Sequence, residues 1–146
     1  GHVPMSVFMP RTYPLARKKT VTAAEICERP FIALVRNTPL RQMLDAHFAA
    51  QGLRLNIMVE TQTVRAACEL ASRGAGITIA DAMTATAALS PDTLLLPWLE
   101  IAPSPVGLIH PVGSQPTSAA LRFGAILAQV VQAGPQAFGQ RWQPKG

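Results

Sequence analysis

The residues best placed to do chemistry in this chain are Val35, Arg36, Thr38, Thr61, Gln62 and Asp81. Each stands where a short apolar run gives way to the stretch that follows it. Arg36 carries a planar fork of donors matched to a carboxylate. One such charge-assisted hydrogen bond contributes about 1.5–3 kcal/mol. Thr38 and Thr61 offer hydroxyls at predicted helix starts, where free backbone N–H groups and the helix dipole favour an anion. Gln62 can donate and accept, and Val35 brings an apolar contact beside them. Asp81 has the opposite charge and suits an ammonium or guanidinium. A site holding both signs fits an amino-acid-like ligand. Each position also has a purely structural reading: the threonines and Asp81 as helix caps, Arg36 and Gln62 as solvated loop tips.

Catalytic constellations cannot be assembled from the rest. His2 lies at the chain start, His47 falls on an apolar helical face as a satisfied core residue, and His110 precedes Pro111. There is no Gly-x-Ser-x-Gly elbow. Gly74-Ala75-Gly76 follows a helical stretch and precedes a strand, the reverse of a phosphate-binding loop. Cys27 and Cys68 lie outside any Cys-x-x-Cys pair and read as small buried hydrophobes of a reducing compartment. No His, Cys and carboxylate set has metal-ligand spacing. The expectation is therefore no enzyme, no metal and no cofactor.

The elements that must hold the six residues alternate. Val3 to Pro10 reads as a strand, and Thr22 with Glu25 as a capping box opening a short helix. Pro30 to Val35 is a continuous apolar run, as in a strand buried on both faces. Thr38-Pro39 opens a helix with Leu40, Met43, Leu44, His47 and Phe48 on one face, and Gly52 stops it. Leu55, Ile57 and Val59 alternate as a strand. Val64, Ala67, Cys68 and Ala71 form a helical stripe closed by Gly74, followed by a strand at 76–80 and a helix from Asp81. Strand and helix in strict alternation over 30–90 imply parallel strands joined by right-handed crossovers. In such a sheet ligands sit beyond the carboxyl ends of the strands, where the six residues fall. Leu94 to Leu96 and Val106 to Ile109 read as further strands, separated by Pro97, Pro103 and Pro105. A last helix from Thr117-Ser118 puts Phe123, Ile126, Leu127, Val130 and Val131 on one face. From Gly134 the composition turns to Gln, Gly and Pro, a tail of weak structural demand.

Of the 146 residues, 49% are hydrophobic and 14% charged, a globular rather than disordered composition. The formal net charge is +5, with a pI of about 10.0. The positive residues are scattered apart from Arg17-Lys18-Lys19, and no aromatic platform accompanies them, which argues against nucleic-acid binding by this chain. No run of about 18 apolar residues exists to span a membrane as a helix, and no secretory h-region is visible, so a cytoplasmic protein is expected.

Several stretches are similar to the effector-binding domain of LysR-type transcriptional regulators. Tyr13-Pro14-Leu15-Ala16 resembles the family's His-Pro-Leu-Ala, and Val21 to Glu25 and Arg29 to Ile32 follow as in that family. Arg41, Asp45 and Phe48, closed by Gly52, resemble its Arg-Asp-Phe-Gly helix. Glu60-Thr61 and Ala71 to Ile79 resemble its segment ending in Gly-x-Gly-Ile, and Thr117 to Phe123 its last helix. Most members have Leu-Pro after the Gly-x-Gly strand. Here Ala80-Asp81-Ala82-Met83-Thr84-Ala85 resembles instead the branch that includes lysine-biosynthesis and opine-catabolism regulators, which sense amino acids or their conjugates.

The resemblance, over roughly residues 3–132, implies an α/β fold: a truncated periplasmic-binding-protein type 2 lobe with a mixed, mostly parallel sheet flanked by helices. It implies a hinge strand at 1–10, regulatory lobe two at 11–97, a return hinge strand and the last helix of lobe one at 98–133, and a tail at 134–146. It implies a small-molecule effector, an amino acid or derivative, bound between two lobes, and assembly as a homodimer or tetramer. DNA would be bound only through an N-terminal helix-turn-helix outside this sequence. A solute-binding protein of a transport system, which shares the architecture, is the alternative.

Overall fold

The computed structural model describes residues 2–109, 113 and 115–133. Strands are β1 (His2–Val3), β2 (Met5–Pro10), β3 (Phe31–Leu34), β4 (Ile57–Thr61), β5 (Thr78–Asp81), β6 (Thr93–Pro97) and β7 (Ser104–Pro105). Helices are α1 (Ala23–Cys27), α2 (Pro39–Ala50), α3 (Val64–Ser72), α4 (Ala82–Thr86) and α5 (Ser118–Gln132), with one 3-10 turn at Pro14–Arg17.

The helix starts follow their side chains. Thr22 and Glu25 form a reciprocal capping box before α1. Thr38 precedes Pro39 and caps α2 by accepting from the Arg41 amide. Gly74, with φ +85°, takes the left-handed turn after α3. Gly76 lies so close to the Pro30 carbonyl that a Cβ there would overlap its oxygen, and this approach lets β5 dock beside β3.

β3 and β4 are parallel. β2 runs antiparallel between β5 and β6. A parallel bridge from Phe31 to Ile77, with the Ile32 amide donating to the Ile77 carbonyl at 2.9 Å, joins β3 to β5. The strand order is thus β4, β3, β5, β2, β6. Side chains alternate across it. Val7, Met9, Phe31, Ala33, Ile77 and Ile79 face one layer with α1 and α2, centred on Leu44, Phe48 and Trp98. Phe8, Ile32 and Ala80 face the other, where Ala67, Cys68 and Ala71 of α3 and Ala85 of α4 keep the helices close. The α/β expectation is met, with both sheet faces covered.

Two expectations are corrected. The first strand breaks at Pro4, so that β1 leaves the central sheet and pairs with β7 instead. The strand expected at Val106–Ile109 lies two residues earlier, at Ser104–Pro105, because the prolines around it restrict where the ladder can form; 106–109 is irregular. The expected last helix is present as α5, on which Ala120, Gly124, Leu127 and Val130 are half-buried and Phe123 and Ile126 are exposed, the Val131 side chain lying outside the described residues. His110 and the tail from Gly134 lie outside the described residues.

Candidate functional site

The carboxyl ends of β3, β4 and β5 point to one edge of the sheet. Antiparallel β2 brings its opposite end there, with Met5 paired to Asp81. The chain returns to the same edge after β6, where Val3 of β1 pairs with Ser104 of β7. Between this return and the start of α2 lies a cleft of about 490 Å³. That volume is within the range of small-molecule sites. Its walls are Met5, Leu34 and Asp81 from the strands, Thr38 to Leu40 and Met43 from α2, Val64 from α3, and Ala102 to Pro105 from the return.

Of the six residues singled out in the sequence, Thr38 and Asp81 line this cleft. The other four flank it. Val35 is half-buried, and its amide donates to the Thr61 carbonyl at 2.9 Å, tying the ends of β3 and β4 together. Arg36 and Gln62 are exposed on the two loops. Thr38 is fully engaged: its hydroxyl donates to the Val35 carbonyl at 2.9 Å while capping α2. Thr61 donates to the Thr63 carbonyl at 3.1 Å, and the cap of α3 is Thr63, not Thr61. Asp81 spends one oxygen on the Thr84 amide at 2.8 Å, as N-cap of α4.

The floor beneath the two loops is held by Arg41, whose side chain is 3% exposed. Its Nη1 donates to the Leu34 carbonyl and to Glu60 Oε1, both at 2.7 Å, and its Nε donates to Asp45 at 2.9 Å. Burial works to lower the Arg41 pKa, but the hydrogen bonds it donates to Glu60 and Asp45, with their charges, outweigh it and raise it. The same bond holds the Glu60 carboxyl below the usual carboxylate range against slight desolvation, and the charge of Arg36 adds to the effect. Arg41 thus locks α2 to the ends of β3 and β4, so that the cleft wall is built on rigid elements.

Sequence reasoning missed the apolar lining of the cleft. Leu40 and Met43 share the apolar face of α2 with Leu44 and Phe48, which hides their place at the cleft. The signal was their position in the first turns of a helix that begins at a strand's carboxyl end. It also missed a cluster behind the cleft, where Glu100 accepts from the Ala23 amide at 3.0 Å and approaches His47 Nε2 at 3.3 Å. The His47 ring meets Trp98 edge-on, with centroids 5.2 Å apart, so His47 is a satisfied half-buried residue as expected. Burial pushes the Cys68 thiol up to about 12, with Asp81 and Glu69 adding to it, and both cysteines are free. Among the described residues, no group of three or more His, Cys, Asp or Glu is placed to hold a metal ion.

The family model for the LysR substrate binding domain matches residues 1–132. The chain belongs to this family. It is 29% identical over 111 residues to the transcriptional activator protein LysR of Escherichia coli (strain K12), covering 76% of this chain and 35% of that protein. It is 27% identical over 127 residues to the regulatory protein NocR of Agrobacterium tumefaciens (strain T37), covering 87% of this chain and 42% of that protein. The chain therefore spans less than half the length of these relatives. The regulatory domain of Synechocystis PCC6803 CcmR, solved in complex with 2-PG, superimposes with a TM-score of 0.69 at 17% identity, over 90% of this chain and 64% of that one. The fold is the type 2 periplasmic-binding-protein fold of LysR effector-binding domains, and the family favours a regulator over a solute-binding protein of a transport system.

Proposed function

We propose that this chain is the part of a LysR-type transcriptional regulator that senses an amino-acid-like effector, and that it catalyses no reaction. The observation that carries the ligand class is Asp81, a carboxylate in the wall of the cleft with one oxygen left for a ligand ammonium. Arg36, on the loop that leads into Thr38, is the matching donor for the ligand's carboxylate. In this reading residues 11–97 form lobe two of the domain, 1–10 and the segment after 97 form its hinges, and α5 belongs to lobe one.

The effector acts by binding one arrangement of the lobes better than another, which is all a ligand can do to an equilibrium. Coupled to a DNA-binding head elsewhere in the regulator, and to a homodimer or tetramer of such subunits, that shift changes how the heads meet DNA. The regulator works in the cytoplasm; among the described residues no helix is long and apolar enough to cross a membrane.

The test is a thermal-shift panel of L-α-amino acids and their N-linked conjugates against the chain and its Arg36→Ala and Asp81→Asn variants. A ligand at 100 times its dissociation constant that binds only the folded state stabilises it by about 2.7 kcal/mol. The expected result is a rise in Tm that both substitutions diminish. A rise with sugars or nucleotides but with no amino acid would sink the ligand class.

A further inference from the structure

The chemistry of the cleft wall goes further than an amino-acid-like ligand. Among the described residues that line it, Asp81 is the one with a charged side chain. The lining is otherwise mainly apolar, with Met5, Leu34 at the end of β3, Leu40 and Met43 on α2 and Val64 at the start of α3. Of its uncharged polar residues, Thr38 and Ser104, Thr38 has its hydroxyl engaged by the Val35 carbonyl and the Arg41 amide. The basic side chains of this edge do not compensate: Arg36 points its charge from an exposed loop, and Arg41 is committed to Asp45, Glu60 and Leu34. A second ligand cation reaching into this wall would lose its hydration against apolar side chains, and the carboxylates of Asp45 on α2 and Glu60 on β4 are already paired with Arg41.

We propose that the effector is an α-amino acid with an uncharged aliphatic, thioether or aromatic side chain, whose ammonium sits on Asp81 and whose side chain packs against Leu40, Met43 and Val64. This rests on the amino-acid reading above and excludes the basic amino acids within it. The two methionines suit a limb of variable shape, because the unbranched thioether adapts to what it meets. Leu40 and Met43 belong to a helix fixed by Arg41, so the packing surface exists before the ligand arrives.

Each buried methylene contributes about fourfold in affinity, so norleucine, three methylenes longer than alanine, should bind about 60-fold more tightly. The experiment is titration calorimetry on the full chain with L-alanine, L-norleucine, L-methionine, L-phenylalanine, L-ornithine and L-lysine. It is repeated on Met43→Glu, whose folding is checked by circular dichroism. The expected result is affinity rising from alanine to norleucine, no heat from ornithine or lysine, and in Met43→Glu a loss of at least tenfold for norleucine with a gain for lysine. Should lysine or ornithine bind the unaltered chain as tightly as norleucine, the apolar limb is overturned and the amino-acid reading survives. Should none of the six bind while another class of compound does, both fall. The titrations on the unaltered chain decide the matter even where the variant does not fold.

Discussion

At the scale of single residues, the work is divided between side chains that line the cleft and side chains that hold those in place. Arg41 is of the second kind. Its type and spacing to Asp45 were visible in the sequence as part of a family pattern, but its partners Glu60 and the Leu34 carbonyl were not, since they come from strands that only the crossover brings beneath α2. Replacing it by methionine keeps much of the apolar stem and removes every donor. The carbonyl of half-buried Leu34 then loses its partner, and leaving a buried acceptor unsatisfied costs about 1–3 kcal/mol, whereas water can replace the bond to exposed Glu60. Because both carboxylates are partly exposed, the repulsive part of the loss is eased by solvent. Arg41→Met should therefore lower the unfolding free energy by about 2 kcal/mol, measured by urea denaturation, whereas Arg41→Lys should recover part of it through one donor. Equal stability of Arg41→Met and the unaltered chain would show the network to be ornamental. The place of Asp81 in the cleft wall, by contrast, follows from the sequence pattern, because the carboxyl end of an apolar strand in an alternating α/β chain falls on the edge where clefts open; its second role as the N-cap of α4 is equally local.

At the scale of elements, caps and stops were readable because they depend on neighbours in the chain: Thr22 with Glu25, Thr38 with Pro39, Gly74 after α3. Sheet order was not. Nothing local says that β2 inserts antiparallel between β5 and β6, so the placement of Met5 beside Asp81 became visible only in the fold. Nor does any short-range pattern join α1, α2 and the segment after β6, which meet at Glu100. Desolvation pushes the Glu100 carboxyl up, but the hydrogen bonds from Gln51, His47 and the Ala23 amide together outweigh it and hold it below the usual glutamate range. A group depressed in the folded state contributes stability above its unfolded pKa, about 4.3, and loses that contribution as pH falls through the lower folded value. The link between these three elements is therefore present at neutral pH and released in acid. In a series of melting curves from pH 7 to pH 3, Glu100→Gln should be less stable than the unaltered chain at neutral pH, and the gap should close towards the acid end. Glu25 and Glu60, held low by Lys18 and Arg41, keep an acid limb in both proteins. A gap that stays constant with pH would mean that the carboxylate charge is not what joins the elements.

At the scale of the whole molecule, α5 stands apart from the three-layered body. Its inward positions are Ala120, Gly124, Leu127 and Val130, with Gly124 close against Leu108. Outward it shows Leu121, Phe123 and Ile126, each more than half exposed, beside Ile109 at 97%. The sequence places Phe123 and Ile126 on one face of the last helix with Leu127 and Val130; the periodicity of one helix identifies an apolar face but does not say what covers it. Burying a side chain the size of leucine, isoleucine or phenylalanine contributes about 1.5–3 kcal/mol, so several together on one helix are enough to drive association in water. The chain alone should therefore self-associate, with a sedimentation coefficient that falls on dilution. The double variant Phe123→Ser with Ile126→Ser should shift that series towards monomer while leaving the melting of the body, whose core lies in the other elements, nearly unchanged. If the unaltered chain sediments as a monomer throughout the dilution series, the exposed face is too dispersed to bind a copy of itself. If the double variant also melts early, α5 is part of the cooperative body rather than an element waiting for the surface it was built to cover.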